Sequence, residues 1–146
     1  MQQVTFLPVL VAKKLRKPTN VISIISPYDP QPQFEVEHKR LLRLSFFPFG
    51  VKLSEQMKDC RLTPEITQQI VDFAEKCKGE EIIVHCGEGR VRSPAVAMFI
   101  ESLYEGQEDG WYLALKYPGC LGHTAGMDRE LRRALNAWRQ PPTVKE

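Results

Sequence analysis

A cysteine and an arginine bracket five residues in the run His85-Cys86-Gly87-Glu88-Gly89-Arg90-Val91-Arg92-Ser93, and two of those five are glycine. The apolar run Ile82-Ile83-Val84 precedes it and Pro94 follows at the head of a second apolar run. A short strand is therefore expected to turn through a loop straight into a helix N-terminus. Such a turn gathers anion-binding groups. Loop N–H groups, the unsatisfied donors of the first helical turn and the positive end of the helix dipole converge on one point, where a phosphate fits. The donors that favour phosphate also favour thiolate over thiol, and the thiolate is the nucleophile. Arg92 adds a planar fork able to hold two phosphate oxygens at once. Cys86 is thus a candidate nucleophile, with Gly87, Glu88, Gly89, Arg90, Val91 and Arg92 as its candidate phosphate cage.

The elements that must carry this loop can be read on either side of it. Val21-Ile22-Ser23-Ile24-Ile25 is short and β-branched, hence a buried strand. Ser26 to Pro32 crowds Pro27, Asp29, Pro30 and Pro32 into a turn that cannot extend the strand. A further strand is expected over Arg40 to Phe46, broken by Phe47-Pro48-Phe49-Gly50, and another over Glu81 to His85. Pro8 to Lys17 reads as a short amphipathic helix with Leu10, Val11 and Leu15 as its apolar residues, closed by Pro18. Thr63-Pro64-Glu65 supplies a cap, a first-turn proline and an early acid. The helix they open has Ile66, Ile70, Phe73 and Ala74 on one face and ends at Gly79.

Ser93-Pro94 open a helix that is apolar almost all round from Ala95 to Ile100, so it should be the buried central helix, stopped by Gly106. A shorter helix is expected from Asp109 to Tyr117, and a last one from Met127 to Arg139 with Leu131, Ala134, Leu135 and Trp138 on one side. Val51 to Arg61 has no clean period and reads as a mobile loop or a short helical turn. Strands alternating with helices give an α/β fold, a central mainly parallel sheet of about four strands flanked by helices.

His85-Cys86, Gly89 and Arg92-Ser93 fit the pattern His-Cys-x-x-Gly-x-x-Arg-Ser/Thr. In this the chain resembles the cysteine-dependent protein tyrosine phosphatases, and its short length looks most like their dual-specificity or small microbial branch. The resemblance is strongest from Glu80 to Leu103 and general elsewhere. It implies a phosphatase-like fold, a phosphocysteine intermediate on Cys86, Arg92 on the non-bridging oxygens, and neither metal nor other cofactor. It also implies that the Ser93 hydroxyl bonds the sulfur and eases its departure in the second step. His85 would orient the loop and tune the thiol, or be an ordinary strand-end histidine. Glu88 resembles a glutamate of dual-specificity members, facing the rim or the loop amides. Arg90 is similar to a basic residue of phosphoinositide-directed members, although a solvent-facing arginine paired with Glu88 is the simpler reading.

In the family an aspartate on a separate, earlier loop protonates the leaving group. This chain departs from that pattern, for it has no Trp-Pro-Asp and Phe46-Phe47-Pro48-Phe49 carries no acid. Glu55 and Asp59 are the acids in the window, and Asp59, 27 positions before Cys86, is the preferred donor, with a solvated surface aspartate as the alternative. Asp29, in Pro27-Tyr28-Asp29-Pro30, is a weaker option for the donor, a turn former being the simpler reading. The glycine-rich stretch Tyr117 to Gly126 is a plain connection between helices, or else a rim element whose His123 or Thr124 touches substrate or the attacking water.

At 146 residues the chain is one domain, taken as 1–140, with a disordered tail over 141–146. Hydrophobic residues at 42% and charged residues at 26% fit a soluble globular protein without a membrane span. The start Met1-Gln2-Gln3-Val4-Thr5 lacks the basic opening and cleavage site of an export signal, so a cytoplasmic location is expected. Cys60, Cys77, Cys86 and Cys120 are irregularly spaced and include no Cys-x-x-Cys, which favours reduced thiols over disulfides or zinc. A formal charge of +2 is too small to suggest nucleic acid as a partner. The basic groups Lys13, Lys14, Arg16, Lys17 and Arg129, Arg132, Arg133, Arg139 read as solvated faces before a substrate-steering patch.

The expected activity is removal of phosphate from phosphotyrosine, and also phosphoserine or phosphothreonine, in proteins. Phosphorylated protein or a small phosphoester would be the substrate, and nothing in the sequence sets an oligomeric state. The alternatives are a phosphatase of phosphoinositides or other small phosphorylated ligands, a module that binds phosphate without releasing it, and a rhodanese-like sulfurtransferase. The last also presents a cysteine loop before a helix, but the spacing of Gly89 and Arg92 and the presence of Ser93 speak against it.

Overall fold

Four short strands form one parallel sheet in the computed structural model, which describes residues 3–47, 60–87, 92–105 and 129–139. β1 (Gln3–Pro8), β2 (Asn20–Ile25), β3 (Arg40–Ser45) and β4 (Glu81–Cys86) lie in the order β1-β4-β2-β3. The two inner strands are the two with continuous apolar runs. Val21, Ile22 and Ile24 of β2, and Ile82, Ile83 and Val84 of β4, are all buried, as expected where both faces of a strand are covered. The outer strands are mixed. β3 alternates, with Leu44 buried and Arg40 and Arg43 carrying charge along the edge, which discourages further strands from adding there.

The helices are α1 (Val9–Ala12), α2 (Pro64–Lys76), α3 (Arg92–Glu105) and α4 (Arg129–Arg139). Thr63 caps α2 as its sequence suggests, its Oγ1 accepting from the Ile66 N–H at 3.2 Å, and Gly79 at φ +83 turns the chain into β4. α3 is buried from Arg92 to Ser102 and packs on β1, β4 and α4, so it is the central helix. Leu131 and Leu135 of α4 join the same core, while Trp138 stays two-fifths exposed and donates from Nε1 to the Leu103 carbonyl at 3.1 Å. The α/β architecture with a parallel sheet of four strands and flanking helices is the one expected. No helix among the described residues is long and apolar enough to cross a membrane.

Two local expectations are corrected. Gln3–Pro8 is a strand that the sequence reading left unassigned, and it pairs with β4 from Gln3↔Glu81 to Pro8↔Cys86. The expected helix over Pro8 to Lys17 shrinks to Val9–Ala12 and two following turns. Pro8 closes the strand, and only Ala12 of that short helix is buried, whereas Leu10 is 70% exposed. Of the apolar side chains that suggested a core-facing stripe, Leu10 lines the cleft described below and Val11 is exposed. The expectations for Asp109–Tyr117, the 117–126 stretch, Cys120, the tail 141–146, Glu55, Asp59 and Glu88 to Val91 lie outside the described residues.

The N-terminal edge of the sheet is tied by structural polar contacts. Asn20 donates from Nδ2 to the Glu81 carbonyl at 2.9 Å, and Arg40 donates from Nη1 to Asn20 Oδ1 at 3.2 Å and to Glu80 Oε2 at 3.0 Å. That leaves the opposite edge for chemistry. With all strands parallel, their C-terminal ends share one side of the sheet, where ligand crevices of open α/β sheets form.

Candidate active site

β4 ends in Cys86, and the chain re-enters the core six residues later at Arg92, the first residue of α3. The thiol is held from the helix side. Cys86 Sγ and Ser93 Oγ share a hydrogen bond at 3.2 Å, and the Ser93 N–H donates to the sulfur at 3.4 Å. Cys86, Arg92 and Ser93 are all buried, with Arg92 only 7% exposed. Gly87 lies against the arginine, since a Cβ added there would come within 3.8 Å of Arg92 Nη2.

Three other strands send groups to the same place. Arg92 Nη1 donates to the Phe46 carbonyl at 2.8 Å, just past the end of β3, and to Ser26 Oγ at 3.2 Å, just past the end of β2. The N–H of Val9, just past β1, donates to the Gly87 carbonyl at 3.1 Å. Every strand of the sheet therefore fixes either the arginine or the start of the loop. Burial lowers the pKa of the guanidinium, opposed by the fields of Cys86 and Asp29. The cation persists at neutral pH, because an arginine pKa starts so high. A buried cation with Nη1 already directed is pre-organised to meet an anion.

His85 is fully buried and its Nε2 lies 2.6 Å from Ser23 Oγ on β2. Phe34 meets the ring edge-on, with centroids 5.7 Å apart, and Arg43 stacks over Phe34 in turn. Burial lowers its pKa to about 4, opposed by the Cys86 backbone and helped by Arg43 and Arg92. The imidazole is neutral near pH 7, so what it contributes is a strand-to-strand tie beneath the loop rather than positive charge. Protonation then weakens the fold. Below pH 6.5 the unfolded chain binds a proton at His85 that the folded chain refuses until about pH 4. Stability should fall across that window by about 3 kcal/mol and level off below it. His38, whose pKa burial also lowers, adds a contribution of the same sign. Urea unfolding at a series of pH values checks this, and His85→Gln should flatten the slope; an unaltered slope in that variant refutes it.

A cleft of about 350 Å³ opens over Gly87 and Arg92, with Leu10 and Lys13 on the α1 side and the segment from Ser26 to Gln33 on the other. The structure thus brings together Cys86, Gly87, Arg92 and Ser93. Ser26, the Phe46 carbonyl and Ser23 were not singled out from the sequence. A carbonyl carries no residue-type signal, but Ser26 stands directly after a strand on the ligand edge of the sheet, which is a usable one.

No protein-family model matches the chain, and neither does any curated protein. Among solved structures it is similar to human DUSP28, at 14% identity over 89% of this chain and 77% of that one, with a TM-score of 0.46. A point variant of human DUSP28 gives 17% identity over 92% and 88% of the two chains and a TM-score of 0.48. The human tyrosine phosphatase-like serine/threonine/tyrosine-interacting protein gives 17% identity over 83% and 76%, with a TM-score of 0.46.

Proposed function

We propose that this protein is a phosphomonoester hydrolase that removes phosphate from phosphotyrosine, and also phosphoserine or phosphothreonine, in proteins through a phosphocysteine intermediate. One observation carries the reading: a thiol bonded by the first turn of a helix lies beside a buried guanidinium that two separate strand ends hold in place. In this reading the Cys86 thiolate attacks phosphorus, and Arg92 with the amides of Gly87 to Val91 receives the charge on the non-bridging oxygens. The Ser93 hydroxyl, 3.2 Å from the sulfur, donates to it as it leaves in the hydrolytic step. Phosphoryl transfer of this kind asks for positioning and charge stabilisation more than for covalent assistance.

The test is hydrolysis of p-nitrophenyl phosphate and of phosphotyrosyl and phosphoseryl peptides, with vanadate as inhibitor and acid quenching to trap phosphate on Cys86. Vanadate-sensitive turnover with label on Cys86 supports the assignment. Binding of phosphopeptides without turnover would make the protein a recognition module, and sulfur transfer from thiosulfate to cyanide would make it a sulfurtransferase.

A further inference from the structure

We propose that Asp29, on the turn that follows β2, protonates the leaving-group oxygen, a role the sequence had directed to the segment after β3. The proposal rests on the phosphatase reading and adds a catalytic residue to it. The leaving oxygen departs in line with the attacking sulfur, and the described opening next to the thiol is the cleft that Gly87 and Arg92 line. Among the described residues lining that cleft, Asp29 is the one carboxylate. It is close enough to Arg92 for its charge to act on the guanidinium.

The position of Asp29 is held by the same residue that holds the arginine. Ser26 accepts from Arg92 Nη1 at its Oγ, 3.2 Å away, and from the Asp29 N–H at its carbonyl, 3.1 Å away. Asp29 and Arg92 therefore share one anchor. The turn is also strained, for Tyr28 adopts φ +74 while its side chain is 86% exposed. A bulky residue in the left-handed region with so little packing of its own is a conformation the turn imposes. The backbone N–H of Asp29 closes the turn, so closure does not require its carboxylate.

Bond changes balance without a further reactant. The Cys86 sulfur forms a bond to phosphorus, the bond from phosphorus to the leaving oxygen breaks with its electron pair on oxygen, and the Asp29 carboxyl delivers its proton there. The carboxylate then takes a proton from the water that attacks the phosphocysteine, and the sulfur leaves with its pair.

The experiment compares phenyl phosphate, whose leaving group needs the proton, with dinitrophenyl phosphate, whose leaving group does not. Asp29→Asn keeps a good turn residue. It should lower kcat on phenyl phosphate by about 10²- to 10³-fold, lower it on dinitrophenyl phosphate by less than about tenfold, and remove the alkaline limb of the phenyl phosphate pH profile. Equal losses on both substrates, or an unchanged profile, overturn the proposal, as does this signature arising in Asp59→Asn instead. A burst of dinitrophenol with phosphate on Cys86 in the unaltered protein shows that only the role of Asp29 has failed. Absence of both burst and turnover there brings down the phosphatase reading and this role with it.

Discussion

Serine in place of Cys86 should abolish phosphate release, with kcat falling by at least about 10⁴-fold, because an alkyl hydroxyl in the same position stays protonated and is a poor nucleophile. Phosphate binding should survive. Arg92, the cation proposed to hold the phosphate, is fixed by donating from Nη1 to Ser26 Oγ and to the Phe46 carbonyl and not through the sulfur. Calorimetric titration with inorganic phosphate beside the hydrolysis assay separates the two effects. Turnover by Cys86→Ser at a rate near that of the unaltered protein would show that the thiol is not the attacking atom.

Arg92→Ala should damage catalysis, binding and stability together. Loss of one charge stabiliser of this type costs about 10²- to 10³-fold in rate. The same substitution leaves the Phe46 carbonyl without its 2.8 Å donor, at a cost of about 1–3 kcal/mol in folding. Arg92→Lys should recover little of the activity, since an ammonium cannot hold Phe46 and Ser26 on one side and offer a planar fork on the other. Kinetics and phosphate affinity, measured beside denaturant unfolding of both variants, check this. A lysine variant with restored kcat/KM would mean that charge alone is needed and that the two strand ends do not matter.

What could be read in the sequence follows the physics of each element. β2 and β4 announce themselves because inner strands of a parallel sheet are apolar throughout, and the start of α2 because Thr63 and Pro64 are strong local signals. β1 did not, because an edge strand of mixed residues ending in a proline looks like the approach to a helix, and only pairing with β4 defines it. The thiol, its serine and its arginine were legible as a pattern of residue types at fixed spacing. What holds the arginine was not, because one partner is a main-chain carbonyl and the other comes from 66 positions away. Asp29 illustrates the same limit. In Pro27-Tyr28-Asp29-Pro30 a turn former is the sound local reading, and only the cleft puts that turn opposite Arg92.

The strand order also governs how the molecule comes into being. β1 is synthesised first yet its partner β4 is the last made of the described strands, and β4 must slot between β1 and the paired β2 and β3. A nascent chain therefore carries an unpaired gap in its sheet until that last strand arrives, with the entropy cost of a long loop closure still ahead of it. Cys86 sits on that closing strand. The thiol and the guanidinium of Arg92 are consequently brought together only once β4 and α3 have been made.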